Sequence, residues 1–146
     1  MDASETAIRS LIERYFTAFN AGDAAGMTAC VAEDVVHEVS QGPVRSGRDA
    51  FASFLDHMNE RYAERVHDMV VMISPDGRRA AAEYMLDGTY LATDEGLPKA
   101  DGQTYRLRVG SFFAIGTDAT GAPLIERVST HYNLADWTRQ VGGREG

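Results

Sequence analysis

The chain reads as an α+β domain, with helices first and a run of antiparallel strands after them. Two observations predict the helices. Ile8, Leu11, Ile12, Tyr15, Phe16 and Phe19 recur at i, i+3, i+4, i+7, i+8 and i+11, which is one apolar face of a helix. Phe51, Phe54, Leu55, Met58 and Tyr62 make a second such face. A third observation predicts the sheet: beyond Arg65 the spacing changes to alternation, broken by Pro75-Asp76-Gly77 and by the stretch TDATGAP. Helices that pack on one face of a curved sheet and cover it incompletely leave a pocket.

Taken in order, Asp2 or Ser4 can cap the first helix, and the turn Asn20-Ala21-Gly22-Asp23 stops it. Asp23 suits the N-cap of a shorter second helix ending near Ala32. DVVHEVSQG (34–42) is the first strand. Ser46-Gly47-Arg48-Asp49 resembles a capping box, with Asp in place of Glu, for the helix of Phe51. VHDMVVMIS and AAAEYMLDGTYLA form a hairpin around Pro75-Asp76-Gly77. After the polar loop TDEGLPKADG come the strands QTYRLRVGSFFAI and LIERVSTHYN, and LADWTRQV closes the chain as a helical turn. The 146 residues fit a single domain, 1–141, with 142–146 as a disordered end.

Composition excludes several classes. The net charge of −8, from 22 acids against 14 bases, argues against nucleic acid as a partner and against an anionic membrane surface. No apolar run approaches the ~20 residues of a membrane span, and the acidic start MDASETAIRS lacks the pattern of a secretory signal. The single cysteine, Cys30, permits no internal disulfide, so a cytoplasmic setting is expected. With no basic residue near it in sequence, Cys30 reads as a buried structural thiol. The four histidines lack metal-site spacing, and no phosphate loop or nucleophile elbow appears. No metal or cofactor is expected.

Alternation then sorts side chains by face. On the third long strand Tyr105, Leu107, Val109, Ser111, Phe113 and Ile115 share one side. That side is the apolar one, so it is read as concave. Ser111 is then either a hydroxyl bonded to local backbone or a ligand contact. On the first strand Val35, His37 and Val39 oppose Val36, Glu38 and Ser40. The face without the acid is the interior, which puts His37 inside. Desolvation keeps an interior imidazole neutral, able to act as a base or a hydrogen-bond partner; the alternative is a ring satisfied by a backbone carbonyl. The final strand offers Arg127, Ser129 and His131 on one face and Val128, Thr130 and Tyr132 on the other, and periodicity favours neither. His57 and His67 are read as having no special role.

IERYFTAFNAGDAAGMTACVAEDVV, followed by GPVRSG before a helix, closely resembles the start of the ketosteroid isomerases and the SnoaL-like polyketide cyclases. Both belong to the nuclear-transport-factor-2-like (NTF2-like) superfamily. The resemblance implies a cone-shaped fold, with N-terminal helices on the concave face of a mainly antiparallel sheet. It implies that Tyr15 stands where ketosteroid isomerase has its oxyanion-hole tyrosine. The aspartate base of that enzyme would fall at Val39, and its protonated aspartic acid at Ser111. Two of three catalytic groups are therefore replaced, and Ser111 also replaces the acid of the SnoaL-like cyclases. Steroid isomerase activity is not expected. The resemblance further turns Arg127, Ser129 and His131 toward the pocket.

The function expected is proton transfer on a small, apolar carbonyl compound, as in an isomerase or cyclase. His37 or His131 would be the base and Tyr15 the donor to the developing enolate. Phe19, Phe54, Met58, Ser111, Phe113, Arg127 and Ser129 would line the ligand site. The alternative is a module that binds a small apolar molecule without catalysis, or that serves dimerisation. A homodimer through the outer sheet face, using Phe112, Val128 and Tyr132, is the partner expected.

Overall fold

The computed structural model describes residues 3–40 and 42–142. Its elements run α1 (Ala3–Asn20), α2 (Ala24–Thr28), β1 (Val31–Val39), β2 (Arg45–Ser46), α3 (Arg48–Arg61), β3 (Tyr62–Ile73), β4 (Arg79–Tyr90), β5 (Thr104–Thr117), β6 (Pro123–His131) and α4 (Leu134–Gly142). The strands make one six-stranded, curved and unclosed sheet in the order β2-β1-β6-β5-β4-β3. β1 and β6 run parallel, joined by the long crossover that such a pair requires. The other pairs are antiparallel.

The helices form where the apolar stripes lie. Ile8, Leu11, Ile12, Tyr15 and Phe16 are buried, each at 5% exposure or less, and α1 lies against β3. Its last residue clamps that strand: Asn20 Nδ2 donates to the Val66 carbonyl at 3.0 Å, and Asn20 Oδ1 accepts from Val66 N–H at 2.7 Å. Just beyond, β3 is bulged between His67 and Val70, with Asp68 at φ 55°. Bulges bend strands and raise their twist, which curls the sheet around the helices. Asp23 caps α2 as expected, its Oδ1 accepting from Gly26 N–H at 2.9 Å.

Several boundaries differ from the sequence reading. α2 ends at Thr28, and Ala32 already lies in β1. Ser46 does not cap α3: it pairs with Val36 in the β1–β2 ladder, and Gly47, at φ 97°, makes the turn without a side-chain cap. Tyr62 opens β3 rather than ending α3. Ser4 falls inside α1, while Asp2 and the end segment 143–146 lie outside the described residues. LADWTRQV forms a helix whose Trp137 packs on Tyr62, Tyr90 and Tyr105. Cys30 is buried as expected and its Sγ donates to the Gly26 carbonyl at 3.5 Å. A basic residue does reach it: burial raises the thiol pKa, and Arg14 opposes that rise without cancelling it. Among the described residues no helix is long and apolar enough to cross a membrane.

Candidate functional site

Between the helices and the concave face lies a hollow of about 880 Å³. Phe16, Phe19, Phe54, Leu55 and Met58 wall it from the helices, and Leu86, Leu107 and Val109 from the sheet. Polar side chains converge on it from both layers, and an apolar wall with such groups is common to small-molecule sites.

His37 is the first of them. Its ring is 4% exposed and lies edge-on to Phe51 and Phe54, with centroids 5.1 and 4.9 Å away. Burial, and then the nearby Arg45 charge, lower its pKa from 6.5 to about 4. The imidazole is therefore neutral at physiological pH. Its Nδ1 is buried without a hydrogen-bond partner, so the backbone-satisfied alternative does not hold for that nitrogen. Tyr15, edge-on to Phe16 and Phe113, also faces the hollow. Burial raises its pKa strongly, so the phenol stays protonated and can only donate or accept as O–H.

Among the described residues the Ser111 hydroxyl bonds to side chains and not to the backbone. Its Oγ lies 2.8 Å from the Tyr84 hydroxyl and 3.1 Å from Thr130 Oγ1. Three hydroxyls that share two bonds leave one O–H to offer elsewhere. Burial also raises the Tyr84 pKa, so this chain too stays protonated.

Two carboxyl groups and a guanidinium in the hollow were missed from sequence. Glu64 lines it and accepts from the Tyr105 hydroxyl. Burial raises its pKa, against the opposing effect of that bond. Asp94, from the 93–102 loop, accepts from Tyr62 O–H at 2.9 Å and lies 2.9 Å from His57 Nε2. Burial pushes the Asp94 carboxyl up, but the bonds from His57 and Tyr62 hold it below the ordinary value. His57, read as having no special role, thus ties the loop to α3. The signal for Glu64 was present: alternation carried back from Val66 places Glu64 and Tyr62 on the same inner face. It was hidden by reading residues 62–65 as helix. The guanidinium is that of Arg45, which also lines the hollow and stands in a two-residue strand too short to show a period.

Of the expected site residues, His37, Tyr15, Phe19, Phe54, Met58 and Ser111 converge on the hollow. Phe113 does not line it: fully buried, it packs behind Tyr15 and Phe16 as core. The expectation for β6 is reversed. Thr130 pairs with the inward Ser111, and Val128 with the inward Phe113. Arg127, Ser129 and His131 therefore lie on the outer face, where Ser129 Oγ meets His131 Nε2 at 2.8 Å and the His131 ring meets Phe112. The cause is a bulge: Ile125 pairs with Ile115 but Arg127 pairs with Ala114, so Glu126 is an extra residue and the parity of the strand flips after it. Val128 is accordingly 1% exposed and Tyr132 lines the hollow. Of the three residues expected on the outer apolar face, only Phe112 is there, at 50% exposure. Among the described residues no group of three or more His, Cys, Asp or Glu is placed to hold a metal ion.

A curved, unclosed sheet with N-terminal helices packed on it is an α+β fold shared with NTF2-like proteins. Residues 12–120 match the SnoaL-like domain, and the chain belongs to that family. Among curated proteins none matches. A Silicibacter protein described as a "putative polyketide cyclase" is 53% identical, with 93% of this chain and 96% of that chain covered and a TM-score of 0.85. A protein of Xanthomonas campestris described in the same words is 46% identical over 96% of this chain and 100% of that chain, with a TM-score of 0.88. A ketosteroid isomerase-like protein of Erwinia carotovora, 21% identical over 90% of this chain and 98% of that chain, shares the fold at a TM-score of 0.70.

Proposed function

We propose that the chain is a cyclase- or isomerase-type enzyme that moves a proton on a small, apolar carbonyl compound held in the hollow. The observation that carries this reading is His37: a neutral imidazole with an unpartnered buried nitrogen in an apolar wall. In the step envisaged, a ring nitrogen of His37 takes a proton from the carbon beside the carbonyl. The C–H electron pair moves into the enolate. Its oxygen accepts hydrogen bonds from Tyr15 O–H and from the spare O–H of the Tyr84–Ser111–Thr130 chain. A base this weak works when such donors hold the developing charge, as in ketosteroid isomerase. Glu64, kept protonated more readily by burial, is the group suited to return a proton elsewhere on the substrate. The names of the similar Silicibacter and Xanthomonas proteins agree with a cyclase.

Deuterium uptake by 2-tetralone in D₂O, followed by NMR, tests the proposal. The expected result is exchange above the buffer rate that falls about 10²–10⁴-fold in His37→Ala, the usual contribution of a positioned base. Exchange should rise through pH 4 and stay flat from pH 5 to 8. Undiminished exchange in His37→Ala would remove His37 as the base. The second reading, binding without chemistry, is favoured by Ser111 and Val39 standing where the resemblance to ketosteroid isomerase would place acids. It gains if ligands bind in the hollow and wild-type protein exchanges no proton.

A further inference from the structure

We infer that Arg45, beside His37, forms an anion subsite at one end of the hollow, and that the ligand is an apolar carboxylate, such as an oxo acid. This rests on reading the hollow as a site for small apolar molecules and adds the charge that the ligand carries.

Placement comes from the ladder. Arg45 and His37 are directly opposite in the antiparallel β1–β2 pair, so their side chains share a face with Cβ atoms about 5 Å apart. Phe54 organises both: the Arg45 guanidinium carbon lies 4.5 Å over its ring, and the His37 ring lies 4.9 Å from it. A guanidinium carries five donors, yet among the described residues the hydrogen bond Arg45 makes is a long one, 3.4 Å to the Pro43 carbonyl. Among the described residues Arg45 meets no carboxylate, and it is the one Arg or Lys that lines the hollow.

The acids of the hollow are at the other end. Glu64 and the Asp94 partner Tyr62 belong to β3, and β2 and β3 are opposite edges of the sheet. Asp94 is further engaged by His57 and Arg61. The hollow is thus cationic at the β2 edge and acidic at the β3 edge, and an anionic ligand fits one way round. A buried carboxylate is costly unless paired and hydrogen-bonded; the planar guanidinium fork supplies both charge and matched donors. The chain as a whole, at −8, repels anions, so the preference must arise at this contact. A carboxylate on Arg45 would set a carbon a few bonds away against the His37 ring.

The single tryptophan, Trp137, lines the hollow and reports occupancy by its emission. The probes are 4-tert-butylcyclohexanecarboxylate and its primary amide, a neutral isostere, neither of which absorbs where tryptophan does. The expected result is at least tenfold tighter binding of the acid to wild-type protein. In Arg45→Gln that ratio should fall to about one with amide affinity kept, and Arg45→Lys should retain part of it. Equal affinities in wild type overturn the anion subsite while leaving the hollow as an apolar site. No response to either probe overturns both. A preference that survives in Arg45→Gln overturns the assignment to Arg45. If Arg45→Gln loses the amide as well, Arg45→Lys decides, and an unchanged ratio there counts against the guanidinium.

Discussion

Replacing His37 with phenylalanine should make the protein less sensitive to acid. The ring sits against Phe51 and Phe54, so a phenyl group suits the site and removes the unpartnered Nδ1. In the folded chain burial lowers the imidazole pKa from 6.5 to about 4. The unfolded chain therefore binds the proton first as pH falls. The stability that goes with a neutral ring is present above 6.5 and is lost on the way down to 4. At 1.36 kcal/mol per pKa unit the loss is about 2 kcal/mol by pH 5 and about 3 kcal/mol by pH 4. Carboxylates titrate in the same window, so the quantity to measure is the difference between wild type and His37→Phe in urea unfolding at pH 7, 6, 5 and 4. That difference should move in favour of the variant by about these amounts. A difference that stays constant across the range would mean that the imidazole is not held neutral in the fold, and the base assigned to it would go with it.

Glu64→Gln should stabilise the protein at pH 7, because the folded-state carboxyl binds its proton more readily than the unfolded one. The stability tied to the protonated carboxyl is lost as pH rises through the raised value. The gain from the amide, read as a melting temperature, should therefore shrink as pH is lowered below the ordinary carboxylate range; a gain independent of pH would count against a buried acid. Gly88→Ala should cost about 1–3 kcal/mol, the usual penalty of overpacking, since an added Cβ would lie 2.2 Å from the Tyr105 ring. A neutral substitution there would show that Tyr105 does not cross Gly88 on its way to Glu64.

The departures from ketosteroid isomerase change what the hollow can do rather than whether it forms. Val39 lines it where the resemblance would place a base, and on the proposed reading His37, two residues earlier on the same face, would supply a nitrogen instead. Ser111 offers a hydroxyl where the resemblance would place an acid, and Tyr84 and Thr130 complete a neutral donor chain around it. On the reading proposed above, the acidic function would pass to β3, at Glu64, and a carbonyl site with donors and a base would survive these exchanges.

The alternation of β1 and β5 was enough to orient His37 and Ser111, because each strand has one face too apolar to meet water, and the hydrophobic effect acts on that difference alone. The stripes on α1 and α3 settled their buried faces for the same reason. β6 carries comparable side chains on both faces, so its orientation depended on a one-residue bulge opposite β5, which is a property of the pairing and not of the strand. Arg45 and Glu64 lie 19 positions apart in sequence on opposite edges of the sheet. Only the curvature that brings both edges under the same helices set a guanidinium and a carboxyl group on one hollow.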